Sequence, residues 1–186
     1  SGDATYRAIA STFADTDMRF SPDGTRVAFN SRRSGYSALW VSNRDGSRVT
    51  QLTHFEGGGR VGSPSWSADG KRIAFDAILT GTSSWNLHIV AADGGPVEPL
   101  TSDDFRNVRP SWSLDGRWIY FGSHRTGDWQ IWRTPSVGGT PEQITRGGGL
   151  DPIVSRDGRI YYAKAPEEQG IWEVRGGEEV QIVPRG

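Results

Sequence analysis

The chain of 186 residues contains no cysteine, so a disulfide framework, a thiolate metal site and a cysteine nucleophile are all excluded. It also lacks charge of one dominant sign. With 21 basic and 22 acidic residues the net charge is −1, which argues against a basic nucleic-acid surface or an acidic tail and predicts no nucleic-acid partner. No run of about 18 apolar residues exists, and "SGDATYRAIA" has no basic-then-apolar layout. Neither a membrane span nor a signal peptide is therefore predicted, and no membrane contact by this segment. Ser1-Gly2 reads as an expression remnant, which would make the chain a piece whose targeting segment lies elsewhere. Apolar spacing at a 3.6-residue period is missing too, while short runs of Val, Ile, Phe, Tyr and Trp abound beside 25 glycines and 8 tryptophans. The expectation is an all-β chain.

What is present is a repeat. Aspartate-glycine pairs stand at Asp23-Gly24, Asp69-Gly70, Asp115-Gly116 and Asp157-Gly158, spaced by 46, 46 and 42 residues. Around them "RFSPDGTRVAF", "SWSADGKRIAF", "SWSLDGRWIYF" and "IVSRDGRIYYA" stack on one another. The aspartate can accept from backbone amides that follow it, and the glycine takes the positive φ a tight connection needs, so each pair predicts a turn between two antiparallel strands. A third strand follows at "ALWVS", "NLHIV", "QIWRT" and "GIWEV", and a fourth at "RVTQLT", "VEPLT", "PEQIT" and "EVQIV". Both faces of such a sheet are apolar: Leu39, Leu87, Ile131 and Ile171 align, and so do Trp40, His88, Trp132 and Trp172. A four-stranded unit with two apolar faces must lie between two others. Radial stacking of four-stranded blades, a β-propeller, satisfies this at about 40 to 45 residues per unit. The blades are expected at 17–53, 62–101, 108–145 and 151–183, after an N-terminal segment 1–16 in which Ile9 has the spacing of an orphan outer strand that competes with Val180 to Val183 for one edge.

The pattern of aromatic, Ser, any residue, Asp, Gly, followed by S-x-R-x-G and I-W, resembles the TolB-like, PD-type propeller repeat. Phe20-Ser21-Pro22-Asp23-Gly24 matches its "FSPDG", and Ser31, Arg33 and Gly35 recur as Ser123, Arg125 and Gly127. The second repeat departs there with Ala77-Ile78-Leu79, and the fourth lacks the segment. The resemblance implies protein or peptide binding. It covers periplasmic Tol-Pal components, gate domains of prolyl-oligopeptidase and tricorn-type proteases, and sensor regions of bacterial membrane-bound regulators, and so points weakly to an extracytoplasmic place. Propellers of this kind usually have six to eight blades, so four blades here lead to the expectation of a homodimer closing an eight-bladed ring, with a monomeric four-bladed ring as the alternative.

Chemistry is sparse. His54, His88 and His124 are the only histidines; His88 takes the place of a tryptophan and is expected to pack, and His54 and His124 belong to different blades. No G-x-S-x-G elbow, no phosphate loop around Gly57 to Gly59 or Gly147 to Gly149, and no calcium loop is found. The acidic pairs Asp103-Asp104, Glu167-Glu168 and Glu178-Glu179 point apart along the chain and stay solvated. The chain is accordingly expected to be no enzyme, with no metal and no cofactor. A binding rim is expected where the loops from second to third strand and from fourth to next first strand converge. It collects Arg32, Arg33, Tyr36, Arg60, Trp85, Asn107, Arg109, His124, Arg125, Asp128, Trp129 and Lys164, in which guanidinium forks and aromatics suit carboxylates and peptides. Because Arg33 and Arg125 recur at equivalent positions, salt bridging within the propeller is the competing expectation for them.

Overall fold

A computed structural model describes residues 13–55, 57–164 and 170–183. Sixteen strands form four antiparallel sheets in strict chain order. Blade 1 holds β1 (Thr16–Phe20), β2 (Arg26–Ser31), β3 (Ala38–Asn43) and β4 (Thr50–Gln51), and blade 2 holds β5 (Gly59–Trp66), β6 (Arg72–Leu79), β7 (Asn86–Ala91) and β8 (Glu98–Pro99). Blade 3 is β9 (Asn107–Trp112), β10 (Trp118–Ser123), β11 (Gln130–Pro135) and β12 (Glu142–Gln143), and blade 4 is β13 (Leu150–Val154), β14 (Ile160–Ala163), β15 (Ile171–Arg175) and β16 (Glu178–Val183). The all-β propeller architecture expected of the repeat is therefore present, and no helix occurs among the described residues.

The first turn of each blade is a small hydrogen-bonded lock. Asp23, Asp69 and Asp115 each accept from the serine two residues earlier at 2.6 Å and from the amide two residues later at 3.0 Å. Asp157 accepts from Ser155 in the same way. Gly24, Gly70, Gly116 and Gly158 follow at φ 67 to 81°, the left-handed region that a residue with a Cβ disfavours. These bonds hold the Asp23 and Asp115 carboxyls down at about 2 and depress Asp69 and Asp157, the serine hydroxyl being the largest cause in each. At the other end of each sheet, Thr53, Thr101 and Thr145 accept from the amides of Leu39, Leu87 and Ile131 at 2.9 Å, which satisfies a buried donor where the outer strand ends.

Blades meet through interlocking side chains. Ala28, Leu39 and Val41 of blade 1 pack on Trp66, Ile73 and Phe75 of blade 2; Ala74, Leu87 and Ile89 pack on Trp112, Ile119 and Phe121; Tyr120 and Ile131 pack on Tyr162. Two seams carry an added clamp. The Trp66 indole donates to the Arg19 carbonyl at 2.9 Å and lies under Arg26, and the Trp112 indole donates to the Ser65 carbonyl at 3.1 Å and lies under Arg72. Among the described residues, strands of one blade touch only strands of the next, and blades 1 and 4 do not meet. The described residues form an open arc. Ile171 shows the consequence: its counterparts Leu39, Leu87 and Ile131 are fully buried, while Ile171, in the last described blade, is 45% exposed. Blade 4 has its own outer strand, β16, paired along β15; Ile9, expected to compete for that edge, lies outside the described residues.

Candidate functional site: the axial groove and the loop rim

The innermost strands β1, β5, β9 and β13 all break register against their partners at the same point, a β-bulge in each blade. At the bulge sits a non-glycine residue with positive φ: Asp17 (54°), Ser63 (23°), Arg109 (57°) and Asp151 (61°). Backbone held in this region by ordinary residues costs on the order of 1–3 kcal/mol each, and such strain concentrates at functional sites. Proline follows three of the four, as Pro64, Pro110 and Pro152. It removes the amide through which another strand could pair with the free inner edge. These strands enclose an axial groove of about 320 Å³ whose wall includes Ser63, Trp66, Arg109, Ser111 and Asp151.

Charge in the groove is organised around Arg109. Its guanidinium donates to Asp151 of the next blade at 2.7 Å, with both side chains nearly half exposed. Its backbone amide donates to Oδ2 of Asp76 at 3.0 Å. Asp76 is buried, and its Oδ1 has no hydrogen-bond partner. Burial pushes this carboxyl up to about 6, against the Arg109 amide, which favours the anion; the Asp17 carboxylate adds to the rise. Asp17 in turn accepts from Asn30, the residue equivalent to Asp76 in blade 1, at 3.0 Å. Gly62 is required beside this pair, since a Cβ there would stand 2.5 Å from the Asp76 Oδ1.

The residues expected at the rim divide into two sets. Arg33 lies over Phe29 and Trp40 and pairs with Asp15 at 2.9 Å, the side chain only 16% exposed. Arg125 lies over Phe121 and Trp132, pairs with Asp103 at 3.1 Å and donates to Asn107 at 2.9 Å. Lys164 lies over Trp172 beside Glu179. These cations are spent inside their own blades. Asn107 does not reach the rim: it is fully buried, because it opens β9 two residues before the bulge and turns inward onto Asp103, with its Nδ2 2.7 Å from the carboxylate. Asp103 and Glu179 are paired and only part-exposed, unlike their solvated expectation: Asp103 meets Arg125, and Glu179 meets Lys164 and accepts from the Arg146 and Gly147 amides. Glu167 and Glu168 lie outside the described residues.

The second set stays accessible. Arg60 stacks on Trp85 at 5.2 Å, and Arg106, which sequence reasoning missed, stacks on Trp129 at 5.5 Å with His124 on the same ring at 5.4 Å. Arg106 is the 46-residue equivalent of Arg60, so the repeat spacing carried the signal. Tyr36, Arg32 and Asp128 are exposed in the loops between second and third strands. His54 is exposed on its own, and His88 is buried, stacked on Phe75 at 5.5 Å. No group of three or more His, Asp or Glu side chains placed to hold a metal exists among the described residues.

With this geometry in hand the relatives can be placed. A family model described as TolB beta propeller domain matches residues 54–179. An uncharacterized protein of Agrobacterium fabrum, Atu1656, is 34% identical over 139 residues, 72% of this chain and 44% of that protein. The tricorn protease homolog 1 of Streptomyces coelicolor is 33% identical over 101 residues, 53% of this chain and 9% of that one. The solved structure of a putative TolB from Agrobacterium tumefaciens superposes with a TM-score of 0.82 at 25% identity, covering 94% of this chain and 67% of that chain. The chain spans less than half the length of the curated relatives it matches. From its repeat, its four bulged blades and the match over most of its length, this chain belongs to the TolB beta-propeller domain family.

Proposed function

We propose that the chain is a non-catalytic propeller module that binds a protein or peptide segment, with the axial groove as its main contact. One observation carries this reading: three of the four equivalent bulges place their strained residues, Ser63, Arg109 and Asp151, in the wall of a common groove, where the arginine-aspartate pair remains half exposed. A scaffold needing only stability would relieve that strain with glycine. Arg109 and Asp151 offer charge of both signs, and prolines on the inner edge favour side-chain capture over strand addition. The stacked pairs Arg60-Trp85 and Arg106-Trp129 extend the contact onto the rim, since rigid aromatics bind with little loss of side-chain entropy and guanidinium forks pair with carboxylates. Peptides selected on the wild-type chain from a displayed library test this. Arg109→Ala and Trp129→Ala should each weaken such a peptide at least tenfold, and unchanged affinity in both would remove the proposal.

The likeness to a tricorn protease homolog favours a second reading, a gate or substrate-selecting propeller belonging to a prolyl-oligopeptidase-like serine peptidase; the sensor region of a bacterial membrane-bound regulator is a further alternative that rests on the repeat alone. Flanking sequence discriminates: a G-x-S-x-G elbow marks the peptidase, a membrane span the sensor.

The open arc adds a proposal about assembly. Met18 and Phe20 are exposed on blade 1, and Ile153 and Ile171 on blade 4. Phe20 occupies the position of Trp66, and Ile160 of blade 4 that of Arg26 and Arg72, so the facing ends of the arc are both apolar. A second copy could bring Phe20 of one chain against blade 4 of the other and close a homodimeric ring. The solution mass decides: 40.8 kDa, twice 20.4 kDa, is expected, and a stable species of 20.4 kDa refutes closure by a second copy.

A further inference from the structure

Three blades share one unit on their outer part. In blade 1 the Arg33 guanidinium lies 5.2 Å from the Trp40 ring and is paired to Asp15; in blade 3 Arg125 lies 4.8 Å from Trp132 and is paired to Asp103; in blade 4 Lys164 lies 3.6 Å from Trp172 and is paired to Glu179. Each tryptophan faces a glutamine across the strands: Gln51, Gln143 and Gln181. Blade 2 lacks the cation, the tryptophan and the glutamine of the unit. Leu79 stands where the arginine would be, His88 where the tryptophan would be, Pro99 where the glutamine would be, and Ala77 replaces Ser31 and Ser123.

The space so vacated is an open pocket of about 440 Å³, with Ala77, Leu79, His88 and Pro99 in its wall. That size is within the range of ligand pockets. The connection from Ala77 to β7 is two residues longer than its counterparts in blades 1 and 3, and it brings Ser83 and Ser84 to the pocket. Ser84 donates to the Asp104 carbonyl at 2.6 Å and Asn86 to the Asp103 carbonyl at 2.9 Å, which fixes the opposite wall. Asp104 is exposed at this wall, and its carboxylate has no ion-pair partner among the described residues. Blade 2 thus keeps an aromatic ring and gains an acid while lacking the cation that elsewhere lies between such groups.

We propose that this pocket receives a guanidinium from outside the chain, the arginine side chain of a peptide or protein partner. The partner's arginine takes the place that Arg33 and Arg125 fill in their own blades, against His88 and toward Asp104. Burial lowers the pKa of His88, so the imidazole is neutral at pH 7 and does not repel a cation. A planar guanidinium fits an aromatic wall and a carboxylate together better than a compact ammonium does. The proposal rests on the peptide-binding reading only for what carries the guanidinium. The pocket shares no residue with the axial groove.

The test uses N-acetyl-argininamide, with its neutral citrulline counterpart and N-acetyl-lysinamide as controls, titrated into the whole chain and followed by amide chemical shifts. The arginine compound should shift Ser83, Ser84, Thr101 and Ser102, with the lysine compound at least threefold weaker and the citrulline compound at least tenfold weaker. The double variant Leu79→Arg with His88→Trp restores the unit of blades 1 and 3 and should abolish the shifts. Asp104→Asn, a surface change that leaves the core intact, should weaken binding several-fold and keeps the test open if the double variant does not fold. Absence of shifts at these residues, equal binding of either control, or full binding by Asp104→Asn overturns the proposal. Loss of library peptides on Arg109→Ala with these shifts retained would separate the two sites.

Discussion

Replacing Asp76 by asparagine isolates a carboxyl that the fold holds far above its ordinary range. The amide side chain keeps the shape and still offers an oxygen to the Arg109 amide, now 3.0 Å from Oδ2, but carries no charge. The wild-type carboxyl titrates near 6 instead of 3.8, mainly through burial. A folded-state pKa above the unfolded one means the folded chain holds its proton more tightly. The stabilisation is therefore complete below 3.8 and is lost as pH rises through about 6. At 1.36 kcal/mol per pH unit the difference between these values amounts to about 3 kcal/mol as an upper figure. Urea unfolding followed by tryptophan fluorescence at pH 4 to 8 measures it. Relative to wild type, Asp76→Asn should become more stable by up to about 3 kcal/mol between pH 4 and pH 7.5, with the change centred between pH 4 and 6. His88 acts in the opposite sense, because burial lowers its pKa and it destabilises the fold as pH falls below 6.5. It is common to both proteins and drops out of their difference. Parallel stability curves for the two would refute the assignment of a raised pKa to buried Asp76.

Other expectations follow from the repeated contacts. Thr145→Val leaves the Ile131 amide and the Gln130 side chain without their 2.9 Å partner and should cost about 2 kcal/mol, measured by urea unfolding, with Thr145→Ser recovering most of it. Gly149→Ala drives a Cβ to 2.8 Å from Ile131 and 3.1 Å from Tyr162 and should destabilise by about 1–3 kcal/mol, part of which Ile131→Val in the same chain should return. Asp23 and Asp115, held at about 2, support the fold fully above 3.8 and lose that support as pH falls through 2. The double asparagine variant should show a shallower loss of stability between pH 4 and 2 by circular dichroism, and an unchanged slope would count against turn hydrogen bonding as the cause.

The blade framework was legible because it rests on local chemistry repeated four times. Asp-Gly after a serine names the turn, and the aromatic ladder of Phe29, Phe75 and Phe121 names the faces without tertiary knowledge. The axial bulges were harder to see. Left-handed backbone is announced by glycine and, more weakly, by Asn and Asp, so Asp17 and Asp151 gave a faint signal and Ser63 and Arg109 none; the conformation is supported by Asn30 and Asp76 behind the bulges. Their equal spacing with the Asp-Gly pairs was the available clue. Arg33 and Arg125 illustrate the reverse difficulty. A loop arginine suggests a rim ligand, but each finds a tryptophan and an acid within its own blade, and only the register of the third strand reveals that. Asn107 went to the core for the same reason of register.

A repeat protein also supplies its own controls. Where the backbone of four blades is the same, a side chain common to them is accounted for by folding, and a departure at one blade is not required by the fold. Blade 2 leaves a pocket of about 440 Å³ where Arg33 with Trp40, or Arg125 with Trp132, fill the space in neighbouring blades. Forgoing those contacts sacrifices dispersion and cation-π attraction that the same scaffold gains elsewhere. At the axis, Arg109 and Asp151 retain a strained backbone and a half-exposed ion pair that contributes about 0–1 kcal/mol to stability, less than the strain it sits on. Both places give up stability for accessible surface of defined chemistry. That exchange is the common ground of the two proposals, the peptide-binding groove and the guanidinium pocket.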